Sequence, residues 1–484
     1  MKFVATLICV CVIAGLFYLD RERTGRLSSA LWLPGIWIAI VGSRPISMWL
    51  GLSPSGDTQL EGSPVDAAIL GVLLVAAIVV LIRRNRRVWV LMRSNWPILI
   101  YFLYCLISVA WSHHPDVSLK RWIKSIGDPV MALLIVTDSR PVAAIGNLVS
   151  RIGFLMFPTS VLFIRWYGEL GRGYTDFGEP VNFGVTTNKN ALGLIVLVIS
   201  LVVLWNVRRL WTNKHDPNRG RHLLAQSALL GFGVILFWMA NCSTGKACFV
   251  LGGFMMVVSN LRAIKTRPAR VHVLSFAILL AAGATLFLGG QGDVAEALGR
   301  QSSMSGRTDI WEAVIPTVPN ALVGAGYDSF WISPSAEIFH RKLLKMGWYP
   351  PVVASTTEAH DGYIEVFLNL GWIGVCLLAL LLVAGYRQAF KAFQRDPELG
   401  GLLLAFVAVL AFYSVTEAGF RMLNPAWIFL LLALFAASGV TTGLFAGRKV
   451  GSRRPLSAKP TDIPTYRIES AVRSSADRII AFET

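Results

Sequence analysis

The sequence predicts an all-α integral membrane protein, a bundle of about twelve or thirteen transmembrane helices. Of the 484 residues, 54% are hydrophobic and only 15% are charged, whereas about 25% of the residues in soluble domains carry a charge. The mean hydropathy is +0.58. Apolar runs long enough to cross a bilayer recur along the chain. Because every backbone polar group needs a partner in lipid, runs of this length indicate helices rather than the strands of a barrel.

Thirteen apolar runs mark the predicted helices, and the fifth is short, which leaves twelve or thirteen spans. The first run is predicted to remain as a helix, because the charged segment DRERTGR follows it where a signal peptide would carry a cleavage site. In chain order the runs are 3–19, 28–50, 65–82, 96–111, 126–137, 142–164, 191–207, 223–240, 246–260, 271–289, 363–384, 400–416 and 426–445.

The runs divide the chain into four parts. A loop of about 70 residues between the tenth and eleventh runs is too long for an ordinary connection. Within it, the apolar spacing of GRTDIWEAVIPTV predicts a helix that Pro316 and Pro319 end or kink. The parts are the first helices at 1–289, a periplasmic loop at 290–362, the last helices at 363–445 and a basic, disordered cytoplasmic tail at 446–484.

The net charge of +17 is explained by topology rather than by nucleic acid. With the N-terminus in the periplasm and the C-terminus in the cytoplasm, most Lys and Arg residues fall in cytoplasmic loops and the tail, as the positive-inside rule requires. The six cysteines lie in or beside apolar runs without metal-ligand spacing, so no metal site is predicted. The sequence also contains no P-loop, no G-x-G-x-x-G after a strand and no H-E-x-x-H.

Three stretches on the predicted outer face carry cations against the positive-inside rule, and an anionic ligand at the membrane surface would explain them. Arg307 and Lys189 lie within these stretches, and Lys246 lies at the predicted outer start of the apolar run 246–260. The alternatives are a snorkelling side chain for each lysine and a surface ion pair for Arg307. The stretches are 113–125, 165–190 and 290–362.

A histidine surrounded by acids precedes the eleventh run, in EAHDGYIEVFLNLGWIG at 358–374. A nearby carboxylate orients an imidazole ring, so His360 is a candidate proton acceptor. Asp361 or Glu365 could hold the ring, since the two lie about one turn apart on a helix that begins near Asp361. The alternative is that His360 is an interfacial polar residue.

Six motifs in order resemble the O-antigen ligase/polymerase superfamily, and within it the ExoQ-like exopolysaccharide polymerases. The resemblance covers roughly residues 30–375. The motifs are LWLPGIWIAIVGSRPISMWL at 31–50, WSHHPDVSLKRWIK at 111–124, GVTTNKNALG at 184–193, STGKACF at 243–249, GRTDIWEAVIP with LVGAGYDSFW at 306–331, and AHDGYIEVFLNLGWIG at 359–374.

The superfamily's last motif is His, then Asn, Ser or Gln, then nine residues and G-x-x-G. His360, Gly371 and Gly374 fit this motif, whereas Asp361 replaces the amide or hydroxyl residue. Lys246 stands where members often carry Arg, and a lysine lacks the planar fork that grips two phosphate oxygens.

The resemblance implies a GT-C-like scaffold in the bacterial inner membrane that transfers glycans from undecaprenyl diphosphate without metal, nucleotide sugar or other cofactor. Arg307, Lys246 and Lys189 would neutralise the departing diphosphate, and His360 would deprotonate an acceptor hydroxyl. Trp311 and Tyr363 offer faces for sugar stacking, although both could be membrane-belt aromatics.

The implied partners are the lipid-linked oligosaccharide, membrane lipid, and the flippase and chain-length or export proteins of the same pathway. Two alternatives stay open. A ligase would move the glycan to lipid A core or to protein. A flippase or other transporter would share the many helices, but it should show matching halves that this sequence does not display.

The predicted topology assigns each loop to one side of the membrane. Reporter tags near residue 85, near residue 215 and after residue 450 should report the cytoplasm, and tags within 335–350 should report the periplasm. A cytoplasmic signal at 335–350 would place the proposed site in the wrong compartment and overturn the functional assignment.

Overall fold

The predicted apolar runs reappear as helices in the computed structural model, which confirms the all-α, multi-pass membrane bundle. The structure describes residues 1–21, 28–52, 62–174, 180–213, 217–265, 269–273 and 303–445, together with Gly178 and Arg267. The predicted run at 271–289 lies mostly outside the described residues, as do the start of the predicted loop and the whole predicted tail.

The first part contains both long apolar helices and shorter helices, several of which carry charged residues. In chain order they are α1 (Lys2–Leu19), α2 (Trp32–Val41), α3 (Ile46–Trp49), α4 (Pro64–Arg83), α5 (Asn85–Ser94), α6 (Trp96–Ser108), α7 (Pro115–Ser125), α8 (Gly127–Val136), α9 (Pro141–Trp166), α10 (Gly168–Gly171), α11 (Lys189–Thr212), α12 (Arg219–Ala240), α13 (Ser243–Ser259) and α14 (Arg262–Lys265). Between α10 and α11, β1 (Arg172–Tyr174) pairs antiparallel with β2 (Pro180–Asn182).

The remaining helices belong to the predicted loop and to the last apolar runs. The loop contributes α15 (Ser303–Val314), α16 (Pro334–Lys345) and α17 (Pro350–Ser355). The last runs form α18 (Gly362–Arg395), α19 (Pro397–Tyr413) and α20 (Pro425–Thr441). α20 is apolar on every side and almost fully buried, as expected for a helix at the centre of a bundle.

Six described helices are long and apolar enough to cross a membrane alone: α1, α4, α9, α11, α12 and α18. The segments Asn85–Ser94 and Trp96–Trp111, bent by 86°, make a seventh if they form one span. The predicted count of twelve or thirteen included runs that are shorter as helices. The run 28–50, for example, breaks between α2 and α3, where Pro45 follows Arg44 and cannot continue a helix.

Arg44 turns inward at this break and fixes the chain that leads into α11. Its side chain is buried and donates hydrogen bonds to the carbonyl oxygens of Thr186 and Gly184, each 3.0 Å away, and to that of Leu170. A buried guanidinium requires such partners. Arg44 is therefore a clamp on the segment before α11.

The helices of the predicted loop pack around a small apolar core of their own. Phe330, Phe339 and Leu343 are fully buried in it, and it includes Ala359, next to His360, and Leu368 of α18. This second core fixes the loop to the first turns of α18 and so positions the candidate site.

α18 is broken at Gly371, whose φ of 62° and ψ of −165° lie outside the helical region. Segment 320–326 lies against the break, and four backbone hydrogen bonds of 2.9–3.2 Å join the two. These bonds satisfy backbone groups that the break leaves without helical partners. A Cβ on Gly371 would lie 2.3 Å from the carbonyl carbon of Leu322, and one on Gly324 would lie 2.4 Å from that of Asn369. The motifs LVGAGYDSFW and AHDGYIEVFLNLGWIG are therefore joined by direct backbone hydrogen bonds.

Replacing Gly371 with alanine should destabilise the protein strongly. Its backbone conformation is essentially restricted to glycine, and we expect Gly371→Ala to lower the free energy of unfolding by at least about 2 kcal/mol. Gly71→Ala is the matched control, because Gly71 is helical with open space around its Cα, and alanine favours a helix by about 1 kcal/mol over glycine. Equal melting temperatures for the two purified variants would contradict this account of the break.

Candidate active site

His360 lies in the segment between α17 and α18 and adopts a left-handed backbone, with φ of 51°. This conformation is uncommon outside glycine, and it persists only where the surroundings enforce it. Ala359 supplies that restraint: its N–H donates to Glu365 Oε1 at 2.6 Å, and its carbonyl accepts from Trp311 Nε1 at 2.8 Å. The backbone beside His360 is thus held from both sides.

The chain re-enters α18 through Asp361, whose carboxylate caps the helix. Its Oδ1 accepts from the N–H groups of Tyr363 and Ile364 at 2.8 and 2.9 Å, which is the usual role of an N-cap residue. The Gly362 N–H donates to the carbonyl of Ser414 at 2.7 Å. Burial raises the pKa of Asp361 to about 6, although the two N–H groups and the charge of Arg307 act in the opposite direction.

Two carboxylates face the imidazole of His360. Nδ1 lies 3.0 Å from Glu358 Oε1 and 3.9 Å from Glu417 Oε2, and the first contact is an ion pair rather than an aligned hydrogen bond. Burial lowers the pKa of His360, but the two carboxylates outweigh burial and raise it to about 9. The two carboxylates thus favour the imidazolium at neutral pH, whereas the predicted role of proton acceptor requires the neutral ring.

Glu358 is itself shared between two cations. Besides His360, it contacts Arg421, whose Nη1 lies 3.3 Å from Glu358 Oε2. Burial raises the pKa of Glu358, but His360 and Arg421 together bring it below its ordinary value. Glu358 is therefore an anion in the resting site.

Glu417, in the turn between α19 and α20, connects the parts of the site. Its Oε1 accepts from Arg307 Nη2 at 2.8 Å, and Asn190 Nδ2 lies 3.1 and 3.2 Å from the two carboxylate oxygens. The Glu417 side chain is only 8% exposed and that of Arg307 only 19%. One buried carboxylate thus contacts Asn190 at the start of α11, Arg307 of α15 and His360 before α18. These three residues come from three separate motifs of the sequence.

Lys189 and Lys246 each lie in the first turn of a helix. Lys189 is the first residue of α11, beside Asn190, and its charge and that of Arg307 both act on the thiol of Cys242. Lys246 is half-buried in the first turn of α13 and donates to Asn241 Oδ1 at 3.0 Å. The Thr416 hydroxyl donates to that of Thr244 at 3.2 Å, which joins the start of α13 to the turn that carries Glu417.

No family model matches this chain. It is similar to the exopolysaccharide production protein ExoQ of Rhizobium meliloti (strain 1021), with 25% identity over 70% of this chain and 76% of ExoQ. The chain is a distant homologue of ExoQ. The ExoQ-like resemblance expected from the motifs is confirmed at this level, and membership of the wider superfamily stays a prediction.

Three residues predicted to touch substrate or imidazole have protein partners in this ExoQ homologue, and the predicted sugar stacking by Trp311 and Tyr363 stays a prediction. Glu365 is 2% exposed and accepts from Trp331 Nε1 and from the Ala359 N–H, so it does not hold the ring. Trp311 donates to the Ala359 carbonyl. Tyr363 donates through its hydroxyl to the carbonyl of Ala411 at 3.0 Å and packs edge-on against Phe420.

The physical reason for these differences is the left-handed turn at His360. Helical spacing correctly placed Glu365 one turn beyond Asp361, but His360 has a left-handed backbone and its Nδ1 faces Glu358 and Glu417, while Glu365 accepts from the Ala359 N–H. Glu417 was missed altogether. The available signal was a pair of charged residues, Glu417 and Arg421, in the short connection between two membrane-grade apolar runs, where charges are costly without partners.

Replacing Asp361 with asparagine should preserve the helix cap and remove a buried charge. Because burial raises the Asp361 pKa from 3.8 to about 6, the native state binds more protons than the unfolded state, and wild-type stability should fall between those pH values as pH rises. Asp361→Asn should lose this dependence and match or exceed wild-type stability at pH 7. Asp361→Ala should lose about 1 kcal/mol with the cap. Thermal unfolding across pH tests this, and a less stable asparagine variant at pH 7 would contradict it.

Proposed function

We propose that this chain is a membrane glycosyltransferase that polymerises undecaprenyl-diphosphate-linked oligosaccharide repeats into exopolysaccharide at the periplasmic face of the bacterial inner membrane. The main support is the convergence of Arg307, His360 and Glu417 in one partly buried network at the N-terminal end of α18. The homology to ExoQ, named an exopolysaccharide production protein, supports the same assignment.

The cations of the network suit a lipid diphosphate. The guanidinium of Arg307 can pair with two phosphate oxygens at once, and the His360 imidazolium adds a second positive charge on the other side of Glu417. Fixed cations aimed at a departing diphosphate stabilise the charge that develops on it, which is the task a divalent metal performs elsewhere. Lys189, beside Asn190, adds charge at the same place.

The multi-pass bundle suits the lipid half of the donor. The polyprenyl chain stays in the bilayer while its diphosphate reaches the network, and the glycan extends into the aqueous compartment. A hydroxyl of a second glycan attacks the donor sugar at C1, the C1–O bond to phosphate breaks, and undecaprenyl diphosphate leaves. Repeated transfer lengthens the glycan.

A deletion strain separates the candidate functions. Loss of a polymerase should leave single lipid-linked repeats on the periplasmic side. Single repeats confined to the cytoplasmic side would indicate a flippase instead. Normal polymer that stays on its lipid carrier would indicate a ligase.

Arg307 should be essential for polymer formation. We expect Arg307→Ala to abolish it, and Arg307→Lys to restore little, because an ammonium cannot form the two parallel bonds of a guanidinium. Arg165→Lys, on the exposed last turn of α9, is the matched control and should be as active as wild type. Polymer length in membranes with equal protein levels is the measurement. Full activity of Arg307→Ala would remove this residue from the site.

A further inference from the structure

The charged groups around His360 make its ring a poor proton acceptor. Glu358 faces Nδ1 from the preceding segment, and Glu417 faces it from the turn between α19 and α20. Arg421 contacts Glu358 and Arg307 contacts Glu417, so these cations lie on the carboxylates. Two anions therefore stabilise the imidazolium. In that form the ring nitrogens already carry protons, so the ring cannot accept another from a hydroxyl.

Asp361, the residue after His360, is also titratable, and it caps α18. Its Oδ1 accepts two backbone N–H groups at the start of α18. A carboxylate that caps a helix is held in place by the backbone. Glu358 and Glu417 contact side-chain cations rather than a helix end, and these two carboxylates face the ring, so they are the better candidates to accept the proton of a hydroxyl.

Glu417 is the carboxylate whose partner the donor would remove. In the structure its charge is balanced by Arg307 at 2.8 Å. A diphosphate carries more negative charge than a carboxylate and offers oxygens on two phosphorus atoms, so it competes for the same guanidinium. After that exchange, Glu417 keeps its contacts with Asn190 and His360 but loses its strongest counter-charge.

Glu358 differs in this respect. Its second partner, Arg421, also experiences the charges of Glu365 and Asp328, so it is balanced by the protein on several sides. A donor that binds Arg307 leaves the contact between Glu358 and Arg421 in place, although the charge of Arg307 also helps to lower the pKa of Glu358. Glu358 therefore keeps both of its contacting cations, His360 and Arg421, while Glu417 loses the cation that it contacts most closely.

We propose that Glu417 accepts the proton of the acceptor hydroxyl during glycosyl transfer, after the donor diphosphate has taken Arg307 from it. This inference rests on the proposed function. The acceptor oxygen forms a bond to C1 of the donor sugar, the C1–O bond to phosphate breaks with its electron pair on the diphosphate, and the hydroxyl proton moves to Glu417. The His360 imidazolium stays protonated and faces the departing diphosphate.

The test uses purified full-length protein in lipid vesicles with a defined lipid-linked repeat. We compare kcat/KM across pH for wild type, Glu417→Gln and Glu358→Gln, and measure undecaprenyl diphosphate binding for each. Glu417→Gln keeps the shape of the side chain and its capacity to bond Asn190 but cannot take a proton. Glu358→Gln removes the other carboxylate that faces His360 and is the matched control.

We expect Glu417→Gln to lower kcat/KM at least about 100-fold at every pH, while it binds undecaprenyl diphosphate as tightly as wild type or more tightly. Because the pKa of His360 is about 9 and its charged form is required, wild-type kcat/KM should fall as pH rises through about 9. Glu358→Gln should remain active at neutral pH, with this decline moved to lower pH because His360 has lost one facing anion.

Two results would overturn the role of Glu417 alone: polymerisation by Glu417→Gln within about tenfold of wild type, or a wild-type rate that increases as pH rises through about 9, as expected if neutral His360 were the base. Weaker undecaprenyl diphosphate binding by Glu417→Gln would contradict the exchange at Arg307. A wild-type protein that makes no polymer from the repeat would instead contradict the proposed function, and this inference with it.

Discussion

The buried ion pair between Arg307 and Glu417 joins segments that are otherwise far apart in the chain. Removing two charges from water costs free energy that a pair repays only when its geometry is good and its remaining oxygens are bonded. Here Asn190 supplies the additional hydrogen bonds and His360 the second cation. This carboxylate brings together the start of α11, helix α15 and the segment that leads into α18. It also marks where an external anion would compete.

The rest of the site is shaped before any substrate arrives. The left-handed backbone at His360 is held by Trp311 and Glu365 through Ala359, and the next residue is fixed as a helix cap. The loop helices enclose their own apolar core, and the break at Gly371 is closed by segment 320–326. Fixed charges of this kind need little rearrangement when charge develops on a reacting group, which is the condition for electrostatic stabilisation.

Much of the fold follows from the apolar runs. Runs long enough to cross a bilayer form helices, because in lipid the backbone must make its hydrogen bonds internally. The sequence also singled out Arg307 and His360, and the structure brings both to one carboxylate. It could not reveal that carboxylate, since Glu417 meets Arg307 across 110 residues of chain. Nor could helical spacing show that Glu365 turns to a backbone amide, because the reversal at His360 is a tertiary constraint.

A structure of the protein with bound lipid-linked substrate would show whether the diphosphate takes the place of Glu417 on Arg307. The account predicts phosphate oxygens within hydrogen-bond distance of the Arg307 guanidinium and a Glu417 carboxylate that has moved away from its present 2.8 Å contact. A diphosphate bound elsewhere, with the ion pair between Arg307 and Glu417 intact, would contradict it.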